Sequence, residues 1–359
     1  MRRRSKGAND HQSISVALAH LCFGALIAMR VAIIGAGIAG LSCADALRDE
    51  GHEIALFDKG RGPGGRMSTR RLETPLGPVA FDHGATHFTA RSPDFQQKMS
   101  AWEADGIVAR WPAAGRDAWV GTPGMNGPVR AMASRHHVTW NCVVSGLTND
   151  GHGWWCLNDV QSVGPFDAAV IAIPVEQALP ILSLHDFQMA RLAMTVRSTP
   201  CWTAMFAFPA PIDSLPDIIR HTGPIGWAIR NNAKPGRDGP EAWVVQANAD
   251  WSQAHLEEDP ATIADLLLAA LMARAGGRVA APAISTAHRW RYSTPSGSFT
   301  DSLWNPTLQL GVCGDWLAHG YVEQAWQSGK ALAGRILSSG QILPSGQPHA
   351  AVQAIAQRA

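Results

Sequence analysis

The chain has 359 residues, enough for about two domains. Thirty Lys and Arg against 29 Asp and Glu leave a net charge of +1, which argues against the basic footprint a nucleic-acid partner requires. Charged residues are only 16% and hydrophobic residues 46%, the balance of a folded chain with a large core rather than a disordered one.

Residues 1–28 start with a basic run and end in an apolar stretch from about Ile14 to Ala28. His20 interrupts that stretch, which is shorter than the roughly 20 residues a membrane span needs. Met29 stands directly before a nucleotide-binding strand, so we expect residues 1–28 to be an extension ahead of the true start, and the protein to be cytoplasmic without a membrane partner. The six cysteines, Cys22, Cys43, Cys142, Cys156, Cys201 and Cys313, show no CxxC spacing and read as reduced thiols. No metal site is expected. Residues 338–359 are rich in Ser, Gly, Pro and Ala and read as a loose tail.

The first predicted element is a buried parallel strand, Arg30 to Ile34. Gly35-Ala36-Gly37-Ile38-Ala39-Gly40 follows at once, then a helix from Leu41 to Glu50. Gly35 permits the tight turn, Gly37 lets a pyrophosphate approach the backbone, and Gly40 lets helix and strand pack closely. The helix N-terminus supplies free N–H groups and a positive dipole end. A second strand, His52 to Phe57, ends at Asp58, where a carboxylate takes ribose hydroxyls; Lys59 beside it joins the expected cofactor contacts. Strand, helix, strand and acid in register point to a dinucleotide site.

Which dinucleotide follows from the next segment. Gly64-Gly65-Arg66 allows a second backbone approach to the pyrophosphate and a bidentate arginine on it, a clamp that NAD-dependent dehydrogenases do not need. Further on, Phe166 to Pro174 reads as a buried strand, and Val143-Val144 as part of another. Leu308 to Cys313 is strand-like, followed by Gly314-Asp315-Trp316 and a helix from Val322 to about Leu337. A helix N-terminus there stabilises negative charge on a bound ligand.

The Gly-Gly-Arg stretch resembles the signature of flavoproteins of the amine-oxidase superfamily. Six stretches resemble the renalase-like branch, and most of all the bacterial renalases: Asp58–Arg71, Phe81–Arg91, Trp119–Met132, Lys234–Asp238, Ala287–Gly297 and Gly311–Gly329. The resemblance implies non-covalent FAD held through Ala39, Gly65 and Arg66, through the loop Asp82 to His87, and through Val144, Asp315, Val322 and Glu323. The family usually has Gln-Tyr where Thr86-His87 stands here, a departure that bears on hydrogen bonding beside the flavin. The activity it implies is oxidation of the 2- or 6-dihydro isomers of NAD(P) by hydride transfer to flavin N5, with dioxygen as the final acceptor. The alternative is a flavin amine oxidase, or an oxidase of another small substrate. The scaffold also occurs in non-enzymes such as GDP-dissociation inhibitors, but the glycine loop, Gly-Gly-Arg and Gly-Asp retained together speak for an enzyme.

A dihydropyridine donor has no proton to lose after its hydride, so no catalytic base is required. We expect His87, His288 and Trp316 near the flavin ring. Lys234, in Lys-Pro-Gly-Arg-Asp, reads as a solvated turn lysine, with a catalytic role as the rarer option. Arg230, Lys234 and Arg237 form a basic cluster that either meets substrate phosphates or lies in a solvated loop. Of Trp119, Trp227, Trp243 and Trp251, some could wall a pocket for a flat ligand, though core packing is the default for each.

The expected fold is α/β: a discontinuous Rossmann-like FAD domain (29–91, 136–183, 282–337) with an α+β substrate domain (92–135, 184–281). The substrate domain is expected to pair an antiparallel sheet, with strands near Cys201–Phe208 and Ala242–Asn248, with a helix from Pro260 to Ala275.

Overall fold

The computed structural model describes residues 28–276, 279–297, 300–318 and 320–340. Most of the expected extension, and the tail beyond residue 340, lie outside the described residues. In chain order the elements begin β1 (Arg30–Ile34), α1 (Ile38–Asp49), β2 (Glu53–Phe57), β3 (Arg70–Thr74), β4 (Gly77–Phe81) and β5 (Phe88–Thr89). There follow α2 (Pro93–Ala104), β6 (Val108–Arg110), β7 (Ala118–Gly121), α3 (Gly127–Ala133), β8 (Val138–Thr139), β9 (Gly146–Asn149), β10 (Trp154–Leu157), β11 (Ser162–Phe166) and β12 (Ala168–Ile171). Next are α4 (Val175–Leu182), α5 (Phe187–Ala193), β13 (Ser198–Phe208), β14 (Ile218–Thr222), β15 (Ile225–Arg230) and β16 (Glu241–Ala247). The last are α6 (Ala249–Ala254), α7 (Pro260–Ala275), β17 (Ile284–Pro295), β18 (Leu303–Asn305), β19 (Leu310–Val312) and α8 (Val322–Gly340).

One sheet runs in the order β18-β19-β12-β1-β2-β8. Every pairing in it is parallel except β18 with β19. Its central strands are short apolar runs, buried apart from Arg30 because helices or other strands cover both faces. A second, antiparallel sheet has the order β14-β15-β16-β13-β17. Helix α7 covers one of its faces: Ile263, Leu267 and Leu271 pack with Trp202, Phe206 and Trp243. Asp259 starts that helix by accepting hydrogen bonds from the Ala261 and Thr262 amides, with Pro260 in the first turn. Leu266, on the same helix, is exposed.

The Rossmann-like half with an α+β partner is therefore the architecture, but two segment boundaries move. The return to the nucleotide half comes after β17, not at residue 282, because β17 pairs with β13 over most of its length. The segment 92–135 does not join the antiparallel sheet. Phe95, Trp102, Trp119, Val129 and Met132 share one core with Val31, Leu41 and Leu47 of β1 and α1. An amphipathic run announces that it has an apolar face, but not which core will receive it.

Candidate active site

The first glycine loop builds a cradle. Gly35 sits at φ +106°, and a Cβ there would lie 2.4 Å from the Ala172 carbonyl oxygen. Gly40 is equally closed: its Cβ would lie 2.0 Å from the Gly35 oxygen. Gly37 is the opposite case, with no atom within 4 Å of a Cβ placed on it. It caps α1 without any side-chain hydrogen bond, so the first-turn amides of the helix point into the open space. Asp58 braces this turn, accepting from the Ala36 amide at 2.7 Å and the Gly60 amide at 2.6 Å. Lys59 is exposed beside it.

The second glycine loop closes on the first. Gly65, at φ +52°, would place a Cβ 3.9 Å from the Gly37 Cα. Arg66 follows, donating to Asp315 Oδ1 at 2.6 Å and to the Ser293 carbonyl at 3.1 Å. A cleft opens between these parts, lined among others by Gly37, Ala39, Arg66, Asp315, Val322 and Tyr321. The residues fit a flavin dinucleotide: helix amides and an arginine for the pyrophosphate, Asp315 for a polyol, and the start of α8 beyond it.

The loop from Asp82 to His87 forms the inner wall. A Cβ on Gly84 would lie 2.0 Å from the Arg66 carbonyl oxygen, which also accepts the Ala85 amide at 2.7 Å. Gln246 donates to the Gly84 carbonyl at 2.6 Å, and the Trp290 indole donates to the His83 carbonyl at 2.8 Å. Gln246 and Trp290 both line the cleft. Sequence reasoning missed them as site residues. The available signal for Gln246 was a polar side chain inside the apolar strand Trp243-Val244-Val245-Gln246-Ala247.

Asp82 anchors this loop from below and is completely buried. Its Oδ1 accepts from the Thr69 hydroxyl (2.7 Å) and the Met125 amide (2.8 Å). Its Oδ2 accepts from Lys234 Nζ (3.0 Å) and from Arg237 Nη2 (2.6 Å) and Nε (3.2 Å). Burial opposes its charge, but the two cations and these hydrogen bonds prevail and hold its carboxyl far below the usual range. Lys234 is thus no solvated turn residue: only 2% of it is exposed. Burial is the main cause that lowers its ammonium to about 8, against the pull of Asp82. It does not line the cleft. Arg230 is also taken, paired with Glu241 at 3.0 Å and Asp217 at 2.9 Å. The supposed basic cluster is a set of internal ion pairs.

Several further expectations are corrected. Trp316 is 1% exposed, packs in the core behind the cleft and donates to the Ile173 carbonyl at 3.3 Å. The Glu323 carboxylate accepts from the Ser92 amide (2.7 Å) and the Arg91 amide (3.0 Å), so this side chain fixes the start of α2 and is not part of the cleft lining. Val144 lies on no strand; it packs in a core from an irregular segment before β9. That segment still passes the nucleotide end, since the Cys142 amide donates to the Asp58 carbonyl. Thr86 and His87 are not in the lining of the cleft and meet through Oγ1 and Nδ1 at 3.1 Å. The His87 ring packs 5.3 Å from Trp227. His288 lies behind Trp290 and 5.1 Å from His83. Trp119 and Trp243 are core residues, and Trp251 stacks on His255 at 4.0 Å. The five described cysteines are free thiols.

Burial lowers both His83 and His87 to about 4, aided by His288 and Arg70 around the first and by Lys234 and Arg220 around the second. An unfolded histidine titrates near 6.5, so between about pH 6.5 and 4 the unfolded chain binds more protons. Their contribution is fully present above that window and is lost as pH falls through it, by at most roughly 3 kcal/mol each. Thermal melts are expected to show Tm falling over that range, and falling less in His87→Gln. A Tm equally steep in wild type and variant would remove His87 from this account.

Residues 33–102 match the NAD(P)-binding Rossmann-like domain, and residues 112–337 match the flavin containing amine oxidoreductases. The chain belongs to the flavin containing amine oxidoreductases. It is a FAD-dependent oxidoreductase, in keeping with the cradle and the second glycine loop. A curated relative, a 4,4'-diapophytoene desaturase of Staphylococcus aureus (strain Newman), is 38% identical over 58 residues. That match spans 16% of this chain and only 11% of the relative. Among solved structures, cyclohexylamine oxidase from Brevibacterium oxydans IH-35A superposes with a TM-score of 0.61 at 14% identity, covering 87% of this chain and 99% of that one. A putrescine oxidase redesigned at its cofactor site gives 0.64 at 15% identity, covering 86% and 99%. At such identities the likeness shows the shared fold.

Proposed function

We propose that the protein oxidises the 2- or 6-dihydro isomers of NAD(P), releasing NAD(P)⁺ and, with dioxygen, hydrogen peroxide. Bound FAD supplies the hydride acceptor and the route for electrons to dioxygen. The observation that carries the reading is that the described cleft lining holds no histidine, lysine, cysteine or unpaired carboxylate, with the Tyr321 phenol its one other ionisable side chain besides the Arg66–Asp315 pair. Gln246, Trp290, Ser293 and Thr294 are neutral, and Asp315 is paired with Arg66. A donor that becomes an aromatic cation on losing hydride has no proton to remove, so these residues need only orient it and exclude water. The renalase-like stretches support the same donor class.

Family membership favours a second reading, oxidation of an amine, since fold neighbours are named for putrescine and cyclohexylamine. Lys234 gives that reading no help, because its ammonium is bound to Asp82 beneath the loop. Anaerobic mixing of the purified flavoprotein separates the two. The donors are NADH, each dihydro isomer and a panel of small amines. We expect rapid flavin bleaching by the isomers, reversed by air with formation of NAD(P)⁺ and peroxide. Bleaching by an amine and not by the isomers would establish the second reading instead.

A further inference from the structure

The face of the antiparallel sheet opposite α7 carries a continuous row of side chains. Arg220 on β14 pairs with Trp227 on β15, and Trp227 pairs with Gln246 on β16. Gln246 pairs with Thr203 on β13, and Thr203 with His288 on β17. Residues directly opposite in antiparallel strands project from the same face. Gln246 is the member of this row that lines the cofactor cleft and holds the flavin-side loop. From Gln246 the row runs outward over Trp227 to Arg220, two strands away, or about 10 Å at ~4.8 Å per strand.

The outer end of this row has the chemistry of an anion site. The half-buried Trp227 carries the Arg220 guanidinium 4.5 Å from its ring centroid. His87 packs against the same indole at 5.3 Å. These contacts, and one hydrogen bond from Arg220 Nη2 to the Ala114 carbonyl at 3.0 Å, fix the arginine in place. Arg220 is exposed and has no carboxylate partner among the described ion pairs, whereas its neighbours Arg230, Lys234 and Arg237 all have one. A guanidinium preset on an aromatic face, with donors to spare, suits a phosphate.

We propose that Arg220, seated on Trp227, is a specificity subsite for the phosphate of the hydride donor. This rests on the donor class proposed above. A nicotinamide ring held at the flavin beside Gln246 extends its ribose over Trp227 and its phosphate to Arg220. The protein therefore prefers a phosphate-bearing dihydronicotinamide to one that ends at the ribose.

The test uses the full flavoprotein, mixed anaerobically with graded concentrations of the 2-dihydro isomer of NAD or of the matching dihydronicotinamide riboside. The concentration that half-saturates flavin bleaching is read for each donor. In wild type we expect the dinucleotide to half-saturate about tenfold lower, with added salt narrowing the gap. Arg220→Gln is expected to close the gap and Arg220→Lys to reopen part of it. FAD content and Tm check that each variant, at an exposed edge-strand position, remains folded. A ratio that is one in wild type, or unchanged in Arg220→Gln, overturns the subsite and leaves the donor class standing. Bleaching in wild type by neither donor, nor by the 6-dihydro isomer of NAD, overturns the donor class, and the subsite with it.

Discussion

Asp82→Ala is expected to destabilise the protein by about 3–5 kcal/mol, because it leaves buried Lys234 and Arg237 without their counter-charge. The native carboxylate receives five hydrogen bonds from four residues, and none of its partners has an obvious substitute for it. The four partners come from three separate places: Thr69 after the second glycine loop, Met125 before α3, and the Lys234–Arg237 turn. The site should therefore be affected as well as the fold. The loop whose Gly84 and Ala85 line the cleft starts at Asp82. Thermal unfolding with and without added FAD is the measurement, and a fall of about 4–7 °C is expected for a chain of this size. Asp82→Asn should be nearly as harmful: it keeps the shape but withdraws the charge. Adding Lys234→Met to Asp82→Asn should recover part of the loss, because one orphaned cation goes with it. If Asp82→Ala melted like wild type, the two cations would have to reach water by rearrangement, and the anchor would not exist. The pH dependence has a definite sign. The folded carboxyl lies below its unfolded value, so its stabilisation is present above about pH 4 and is lost only on further acidification.

The same anchor shows what could and could not be read in the sequence. The nucleotide half was legible because its signals are local. A run of β-branched residues, three glycines at fixed spacing and an acid after the second strand lie within about thirty residues. Their geometric roles are separable in the structure, where Gly35 and Gly40 are closed by packing and Gly37 is open. Lys234 was misread because Lys-Pro-Gly-Arg-Asp has every local mark of a solvated turn. Its partner stands 152 residues earlier, and nothing near the lysine announces it. Trp316 follows the Asp315 that lines the cleft, and adjacency in sequence suggested adjacency to the ligand. The 3₁₀ turn at Asp315–Leu317 sends the indole the other way, into the core, where its N–H finds the Ile173 carbonyl. Glu323 shows the same limit, since a carboxylate in the first turn of a helix can serve a ligand or the start of a neighbouring helix. That Gln246 and Trp227 share one row became recognisable only through strand pairing, because the row depends on a register that no single strand specifies.

Gly37→Ala and Gly40→Ala are expected to fail in different ways, and the contrast locates the cofactor. At position 37 the backbone lies at φ −76° and ψ 178°, which alanine adopts without strain. The added methyl meets no protein atom within 4 Å. The folded protein should therefore keep its Tm to within about 1 kcal/mol of stability, the cost of alanine at a helix cap. The methyl nevertheless fills the space through which a pyrophosphate would reach the α1 amides, so flavin content after purification should fall at least about tenfold, the effect of roughly 1.4 kcal/mol. At position 40 the methyl would lie 2.0 Å from the Gly35 oxygen and 3.2 Å from Ala172 Cβ. Helix α1 must then move off β1, at a cost of about 1–3 kcal/mol or more, whether or not flavin is present. Gly329→Ala belongs with Gly40→Ala, since its methyl would lie 2.0 Å from the Ala39 oxygen where α8 crosses α1. Apo-protein melts and flavin absorbance per polypeptide separate the two classes. A Gly37→Ala protein that retained its full flavin would move the pyrophosphate away from the α1 terminus. A Gly40→Ala protein as stable as wild type would mean that helix and strand are less tightly apposed than their glycines require.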